Sequence, residues 1–245
     1  TRSSSNPRGR LSALPSCATR SGASRTPSQR CAQNVRGIDV PGLNGGHCEF
    51  DIQLERANAL QVLTRVLNAA LASTDVRISS PYGGAQNNAI PMDAEAVVAL
   101  RPEDVQAVLD VVKVLGENLS VEYSIAEPGI RLEAEKAEVP SRVFSAAAGA
   151  RFARLTQLIP NGVISWSLLV PGIVETSNNL GTIRATDQGV RLMSTITSAV
   201  TTRKHEVLDR VRALAALAGG GVVVESYGLD AAEFPYRPDS QLLAT

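Results

Sequence analysis

One histidine in this sequence lies in a loop-like setting that suggests chemistry. His47 follows Gly45 and Gly46 and precedes Cys48. Glycines allow backbone angles that other residues avoid, and they let a ligand approach the chain closely. A neutral imidazole there can donate a hydrogen bond to a developing oxyanion; the simpler interpretation is a histidine on an ordinary surface loop. Cys48 is not expected to act with His47, because neighbouring side chains on extended backbone point apart.

Three further segments are polar or glycine-rich at element boundaries. Residues 86–91 (QNNAIP) put the amide of Asn88 at the start of a strand, facing either a cleft or an Asx-type turn. Residues 174–179 (VETSNN) are polar within an apolar strand, which is also typical of a solvated edge strand. Residues 219–221 (GGG) lack the lysine and the following helix of a phosphate-binding loop, so they predict a helix C-cap.

Hydrophobic periodicity predicts the elements that position these segments. Leu60, Leu63, Leu67 and Leu71 fall on one face of a helix over 55–72, and apolar residues alternate with period two over 92–100. Similar patterns predict helices from 102 and over 145–158 and 204–218, and strands over 37–43, 76–80, 130–135, 173–185, 190–198 and 222–226. The order predicts an α+β fold of two consecutive β-α-β-β-α-β-like units, an antiparallel sheet with helices on one face.

Composition excludes several classes of protein. Of 245 residues 44% are hydrophobic, and 24 basic residues balance 24 acidic ones, so no global field favours nucleic acid or an anionic membrane. No apolar run reaches the length of a spanning helix, which predicts a soluble protein. Three cysteines and two histidines are too few for a disulfide framework, or for a zinc cluster built from this chain alone.

The chain divides into three parts by composition. Residues 1–36 contain seven arginines, eight serines and no acid, which predicts a disordered tail with the look of an organelle transit peptide. A basic arm that contacts nucleic acid, or a stretch that is not the natural upstream sequence, stays open as an alternative. Residues 37–230 are the folded domain and 231–245 a linker. The compartment is therefore expected to be cytoplasmic or organellar.

Ordered motifs in the folded part resemble one family. The segments are 45–47 (GGH) with 58–59 (NA), 88–91 (NAIP), 160–164 (PNGVI), 174–177 (VETS) with Asn179 and Gly181, and 235–243. Over 37–245 they are similar to the lid and dimerisation half of aminoacyl-histidine (Xaa-His) dipeptidases, zinc metallopeptidases related to carboxypeptidase G and the aminoacylases.

The resemblance implies specific roles for few residues of this chain. The complete family enzyme has a catalytic domain that binds two zinc ions through His, Asp and Glu ligands, and an inserted lid that dimerises. His47 would stabilise the tetrahedral oxyanion, and Asn88 would help to bind the substrate. No metal ligand and no bound cofactor are implied for this chain; its partners would be a second copy and, with a catalytic domain, a dipeptide, but no nucleic acid or membrane.

Three departures qualify that resemblance. The family continues Gly-Gly-His-Ser-Gly-Gly, whereas Cys48, Glu49 and Phe50 follow His47 here. Thr197 stands where the family has an arginine for the substrate carboxylate, so carboxylate binding should be weaker. No His-x-Asp and no Glu-Glu pair occur. We therefore expect the lid of a zinc metallodipeptidase that is inactive as an isolated chain; the alternative is a non-catalytic dimerising or ligand-binding α+β module.

Overall fold

The computed structural model describes residues 10–15 and 34–227. The helices are α1 (Ala59–Ser73), α2 (Val105–Glu122), α3 (Ala146–Leu158) and α4 (Thr201–Ala218). The strands are β1 (Arg10–Pro15), β2 (Asn34–Val40), β3 (Gly46–His47), β4 (Arg77–Gly83), β5 (Ala89–Ile90), β6 (Ala94–Leu100), β7 (Glu133–Lys136), β8 (Gly162–Trp166), β9 (Val174–Thr186), β10 (Gly189–Ser198) and β11 (Val223–Glu225). Short 3-10 turns, Ile52–Leu54 and Pro102–Asp104, precede α1 and α2.

Within the described residues, nine strands form one antiparallel sheet. Its order is β11-β1-β10-β9-β4-β6-β2-β7, and β8 pairs with β9 beside this path. The first unit runs β2-α1-β4-β6-α2-β7, and the second contributes β9, β10, α4 and β11 after α3. The units meet where β4 pairs with β9, with Tyr82 opposite Arg184 and Gly83 opposite Ile183. The predicted α+β fold with an antiparallel sheet is confirmed.

The four helices in the described part of the chain form one layer in the order α2-α1-α3-α4, as their mutual contacts show. On α1 the leucines at three- and four-residue steps are fully buried, namely Leu60, Leu63 and Leu67. They pack in one hydrophobic cluster with sheet residues such as Ile38, Val98 and Ile183. Burial of this single apolar face, rather than helix propensity, is what stabilises α1.

The structure differs from the sequence prediction at a strand boundary and decides between the alternatives for two segments. The strand predicted over 130–135 begins only at Glu133, and Ile130 is buried just before it. The solvated-edge interpretation of 174–179 is wrong: Thr176, Asn178 and Asn179 are buried in β9, which is flanked by β8 and β10. Gly219, with a positive φ of 60°, ends α4 as the predicted C-cap.

Two parts of the predicted organisation fall mostly beyond the described residues. Of the 1–36 tail, only β1 and the first residues of β2 are described, and the sequence predicted no element at either place. The 231–245 linker lies outside the described residues. Within the described part of the chain, no helix combines the length and the apolar character needed to cross a membrane.

Candidate functional site

His47 lies on a two-stranded ribbon at the end of the sheet. In this ribbon β3 pairs with β5, which places His47 opposite Ala89 and Gly46 opposite Ile90. The Cys48 N–H donates to the Asn88 carbonyl at 3.0 Å. The structure thereby brings together two residues that are about 40 positions apart and that the sequence singled out separately.

The loop conformation depends on glycine and on two charged side chains. Gly46 has a φ of +140°, and a Cβ added there would come within 2.7 Å of the Asp51 Cβ. The Asp51 carboxylate accepts the backbone N–H of His47 at 2.7 Å, and Arg56 Nη1 donates to the Gly45 carbonyl at 2.6 Å. A side chain at position 46 would therefore displace the backbone that carries His47.

One hydrogen bond fixes the tautomer of His47. The backbone N–H of Glu49 donates to His47 Nδ1 at 3.2 Å, and the imidazole lies 4.9 Å from the Phe50 ring. A nitrogen that accepts a hydrogen bond carries no proton, so the neutral ring bears its hydrogen on Nε2. The half-buried His47 therefore presents an Nε2–H donor, which is the group that an oxyanion requires.

Side chains of β9 and β10 hold the backbone of the loop that carries Asn88 through hydrogen bonds. Asn179 Nδ2 donates to the carbonyls of Asn87 and Ala89, at 3.1 and 2.8 Å, and Thr195 Oγ1 donates to the Asn87 carbonyl at 2.8 Å. Among the described residues, the exposed side chain of Asn88 itself has no hydrogen-bond partner. Its amide is therefore available to a ligand while its backbone is held in place.

A second buried amide connects β9 to the start of α1. Asn58 Oδ1 accepts the N–H groups of Leu60 and Gln61, and its Nδ2 donates to the Leu180 carbonyl at 2.9 Å. Asn58 and Asn179 are 3% and 1% exposed. Sequence reasoning used both only as parts of motifs and gave them no role, because nothing local shows which distant carbonyl a buried amide will contact.

Thr197 reaches the same site through Glu49. Its Oγ1 donates to Glu49 Oε1 at 3.3 Å, across 148 residues of sequence. The three predicted site residues therefore share one end of the sheet, Thr197 by way of the residue that replaces a family glycine. This end offers an imidazole donor, an amide, a hydroxyl and a carboxylate.

Cys48 does not extend this chemistry. The side chain is 2% exposed, and burial, followed by the negative charge of Glu49, raises the pKa of its thiol to about 11. The thiol is therefore protonated at neutral pH, when it is neither a nucleophile nor a metal ligand.

The described residues do not fit a metal centre. No three His, Cys, Asp or Glu side chains in the described ranges converge as a metal site requires. Near His47, the Asp51 carboxylate is occupied by a backbone N–H and the Cys48 thiol is protonated. A pair of zinc ions needs several ionised or imidazole ligands, which this donor set does not supply.

Known proteins are similar to this chain over most of its length. Residues 38–127 match the family described as a peptidase dimerisation domain. The chain is 31% identical over 182 residues to the cytosol non-specific dipeptidase of Escherichia coli (strain K12), covering 74% of this chain and 38% of that protein. The crystal structure of aminoacylhistidine dipeptidase from Vibrio alginolyticus matches with a TM-score of 0.73 and 29% identity, covering 81% of this chain and 42% of that one. The chain thus spans about two fifths of the length of either relative.

Proposed function

We propose that this chain, which carries a peptidase dimerisation domain and resembles the lid and dimerisation half of aminoacyl-histidine dipeptidase, is the lid of a dipeptide-hydrolysing metallopeptidase. In this role the chain covers the peptide that is being hydrolysed and supplies hydrogen-bond donors to it. The zinc-binding centre belongs to a catalytic domain and not to the described residues.

The observation that carries the proposal is the hydrogen bond from the Glu49 N–H to His47 Nδ1, which leaves the proton of the neutral ring on Nε2. A tetrahedral intermediate places negative charge on the former carbonyl oxygen, and a positioned N–H donor stabilises that charge more than it stabilises the starting carbonyl. The Glu49 N–H bond to Nδ1 and the Asp51 bond to the His47 backbone hold that donor in place before substrate arrives. The nearby amide of Asn88 binds the substrate backbone.

Glu49 and Thr197 define the substrate end that this lid accepts. At the position where the family presents a guanidinium, this site presents a hydroxyl bonded to a carboxylate. The carboxylate of a dipeptide therefore lacks the bidentate clamp that an arginine would supply. We expect this lid to bind dipeptides more weakly than relatives that carry the arginine.

The lid also forms a homodimer in this proposal. The β4 edge of the first unit is already paired with β9, so a second copy must bind elsewhere. The β8–β9 hairpin exposes Trp166, Leu168, Leu169 and Ile173, with Leu168 97% exposed. An exposed apolar cluster of this kind is typical of a protein–protein interface. We assign this hairpin to the dimer contact; the 3-10 turn Ile52–Leu54, which follows the His47 loop, packs beside β8.

Sedimentation velocity tests the dimer. The full chain is expected to sediment as a dimer at micromolar concentration, and the double variant Leu168→Asp, Leu169→Asp as a folded monomer. The matched control Val121→Asp changes another exposed apolar residue, on α2, and should remain dimeric. A wild-type monomer, or a dimer that survives the double substitution, would contradict the assignment.

Hydrolysis assays test the lid function. The purified chain is expected to bind no stoichiometric zinc and to release no amino acids from Xaa-His dipeptides, because its described donors do not fit a bimetallic centre. Turnover by the chain alone that disappears in His47→Ala would show instead that the chain is a complete catalyst.

The compartment is also a proposal. A cytosolic location agrees with the name of the Escherichia coli relative, and the arginine- and serine-rich residues 1–36 are the reason to test an organelle. Localisation of a tagged full-length gene product distinguishes the two.

A further inference from the structure

Two arginines lie side by side on the sheet face opposite the helices. Arg184 of β9 and Arg191 of β10 are direct register partners, whereas their neighbours Ile183 and Leu192 are buried in the core under the helices. Directly opposed side chains have Cβ atoms about 5 Å apart, and like charges in that arrangement destabilise a sheet. Neither guanidinium forms an ion pair with a carboxylate in the part of the chain that the structure describes.

Arg184 is held rigidly with one side of its guanidinium unused. Nη1 donates to the carbonyls of Gly83 and Ile183, at 2.5 and 2.7 Å, and Nη2 donates to the Gly84 carbonyl. The group lies 4.2 Å from the centre of the Tyr82 ring. Because a guanidinium has five N–H groups, the Nε–H and one Nη2–H remain without an acceptor among the described residues.

Arg191 contains an orphaned donor. Its Nε atom is buried and has no hydrogen-bond partner within residues 10–15 and 34–227. A buried donor without an acceptor is costly, and such exceptions in folded proteins call for a specific explanation. The missing partner here is an acceptor, and an anion would also relieve the repulsion between the two arginines.

An open pocket with a mixed lining, which includes the apolar Ala85 and Met193, lies beside these two side chains. Its volume is about 450 Å³, and its lining includes Gln86, Asn87, Thr182, Arg184, Thr186 and Arg191. Amides and hydroxyls beside two guanidinium groups suit an oxyanion, because each oxygen accepts more than one hydrogen bond.

The acids on the same sheet face are too far away to serve as this partner. Glu95 pairs with Tyr82, and Tyr82 pairs with Arg184, so two strand spacings separate Glu95 from Arg184. That is about 10 Å, roughly one Debye length at moderate salt. Asp39 and Glu133 are one and two strands further out. The arginine pair is therefore a separate basic centre rather than half of an ion-pair network.

We propose that Arg184 and Arg191 form a binding site for a small oxyanion, a carboxylate or a phosphate, in this pocket. Arg191 and Thr197 are six positions apart along β10, a distance of about 20 Å. The pocket shares Gln86 and Asn87 with the loop that carries Asn88, but its lining does not include His47 or Asn88, so the proposal goes beyond the lid function. Its ligand bridges the two guanidinium groups and couples the β9–β10 hairpin to the loop over residues 84–87.

Titration of the full chain at low ionic strength tests the site. Inorganic phosphate and succinate are added separately, and backbone amide NMR signals of β9, β10 and residues 84–87 are followed. We expect saturable shifts with at least one of the two, and an affinity about tenfold or more weaker in Arg191→Gln, the loss expected for a charged hydrogen bond. The matched control Arg154→Gln removes an exposed arginine of α3 and should bind like the wild type.

Each outcome decides the proposal. Saturation by phosphate alone points to a phosphate ester as the natural ligand, and saturation by succinate alone points to a carboxylate. No saturable shift with either anion through the millimolar range overturns the proposal. So does unchanged affinity in both Arg191→Gln and the charge-reversed Arg191→Glu, provided that their spectra show the wild-type fold.

Discussion

Asn179 shows how a single buried amide determines the geometry of the candidate site. Its Nδ2 group holds the carbonyls of Asn87 and Ala89, and these flank the proposed substrate-binding Asn88. Gly181 of β9 also lies close to this loop, because a Cβ added there would lie 2.5 Å from the Asn87 backbone.

Asn179→Ala is therefore expected to destabilise the chain. The substitution removes the side-chain donor to the Ala89 carbonyl and one of two donors to the Asn87 carbonyl, which costs about 1–3 kcal/mol in the free energy of unfolding. Urea denaturation measures the change. Gln86→Ala, an exposed amide in the same loop, should stay within about 0.5 kcal/mol of the wild type. Equal effects of the two substitutions would mean that Asn179 does not anchor the loop.

Asp39 makes the stability of the folded chain depend on pH. Burial raises the pKa of its carboxyl, and the neighbouring charges of Glu95, Glu133 and Glu135 raise it further. The folded chain thus binds this proton more tightly than the unfolded chain. The protonated carboxyl therefore contributes to the free energy of unfolding below about pH 4, near the pKa of Asp in the unfolded chain. This contribution is lost as the pH rises through the higher pKa of Asp39 in the folded chain.

Asp39→Asn should consequently stabilise the chain at pH 7 and have little effect near pH 3. Thermal unfolding at both pH values measures the difference. Asp187→Asn, which removes an exposed carboxyl in the β9–β10 turn, serves as the control for the loss of one negative charge. A variant less stable than the wild type at pH 7 would contradict the assigned cause.

At the scale of elements, α1 begins at a residue that also joins the two units. Asn58 caps the helix through Oδ1 and at the same time donates to the Leu180 carbonyl on β9. Ser145 provides a comparison at an exposed position, where its Oγ accepts the Ala148 N–H as the cap of α3. Comparing substitutions at the two positions separates the stability that comes from helix capping from the stability that comes from the link between the units.

Asn58→Ala is expected to cost about 2–4 kcal/mol of unfolding free energy, because a cap contributes about 1 kcal/mol and the buried Leu180 carbonyl loses its donor as well. Ser145→Ala should cost about 1 kcal/mol. Chemical denaturation of the two variants side by side measures the difference. Costs of equal size would show that the link to β9 contributes nothing.

Elements with strong periodicity could be predicted from sequence, and those without it could not. The leucines of α1 and the alternation in β6 have long, regular patterns, and both elements were predicted within a few residues. In contrast, β8 begins at Gly162 and its side chains are only half-buried, so no face stands out in its sequence. The two-residue strands β3 and β5 are too short to show any period.

The candidate site could also be predicted only in part from the sequence. His47, Asn88 and Thr197 were identified from residue type and from family resemblance, but the link between Thr197 and Glu49 spans 148 residues and leaves no local signal. The roles of Asn58 and Asn179 likewise depend on carbonyls that only the folded chain brings near them.

At the scale of the whole molecule, the two units merge into one sheet and one core. The β4–β9 pairing and the contact between α1 and α3 make the lid a single block rather than two hinged halves. A rigid block suits the proposed role, because a donor that stabilises a transition state must not reorganise when the charge develops. The His47 loop lies at one end of this block, where a catalytic domain can approach it.

A chimera tests that role most directly. Residues 34–227 would replace the matching region of the Escherichia coli dipeptidase, and the turnover number for dipeptide hydrolysis would be measured with and without His47→Ala. His205→Ala, which removes the other histidine from an exposed position on α4, is the control. We predict a chimera that hydrolyses dipeptides, loses about 10²–10³-fold in kcat on His47→Ala, and is unaffected by His205→Ala. A folded, zinc-loaded chimera whose kcat is the same with and without His47, or that has no turnover at all, would contradict the account.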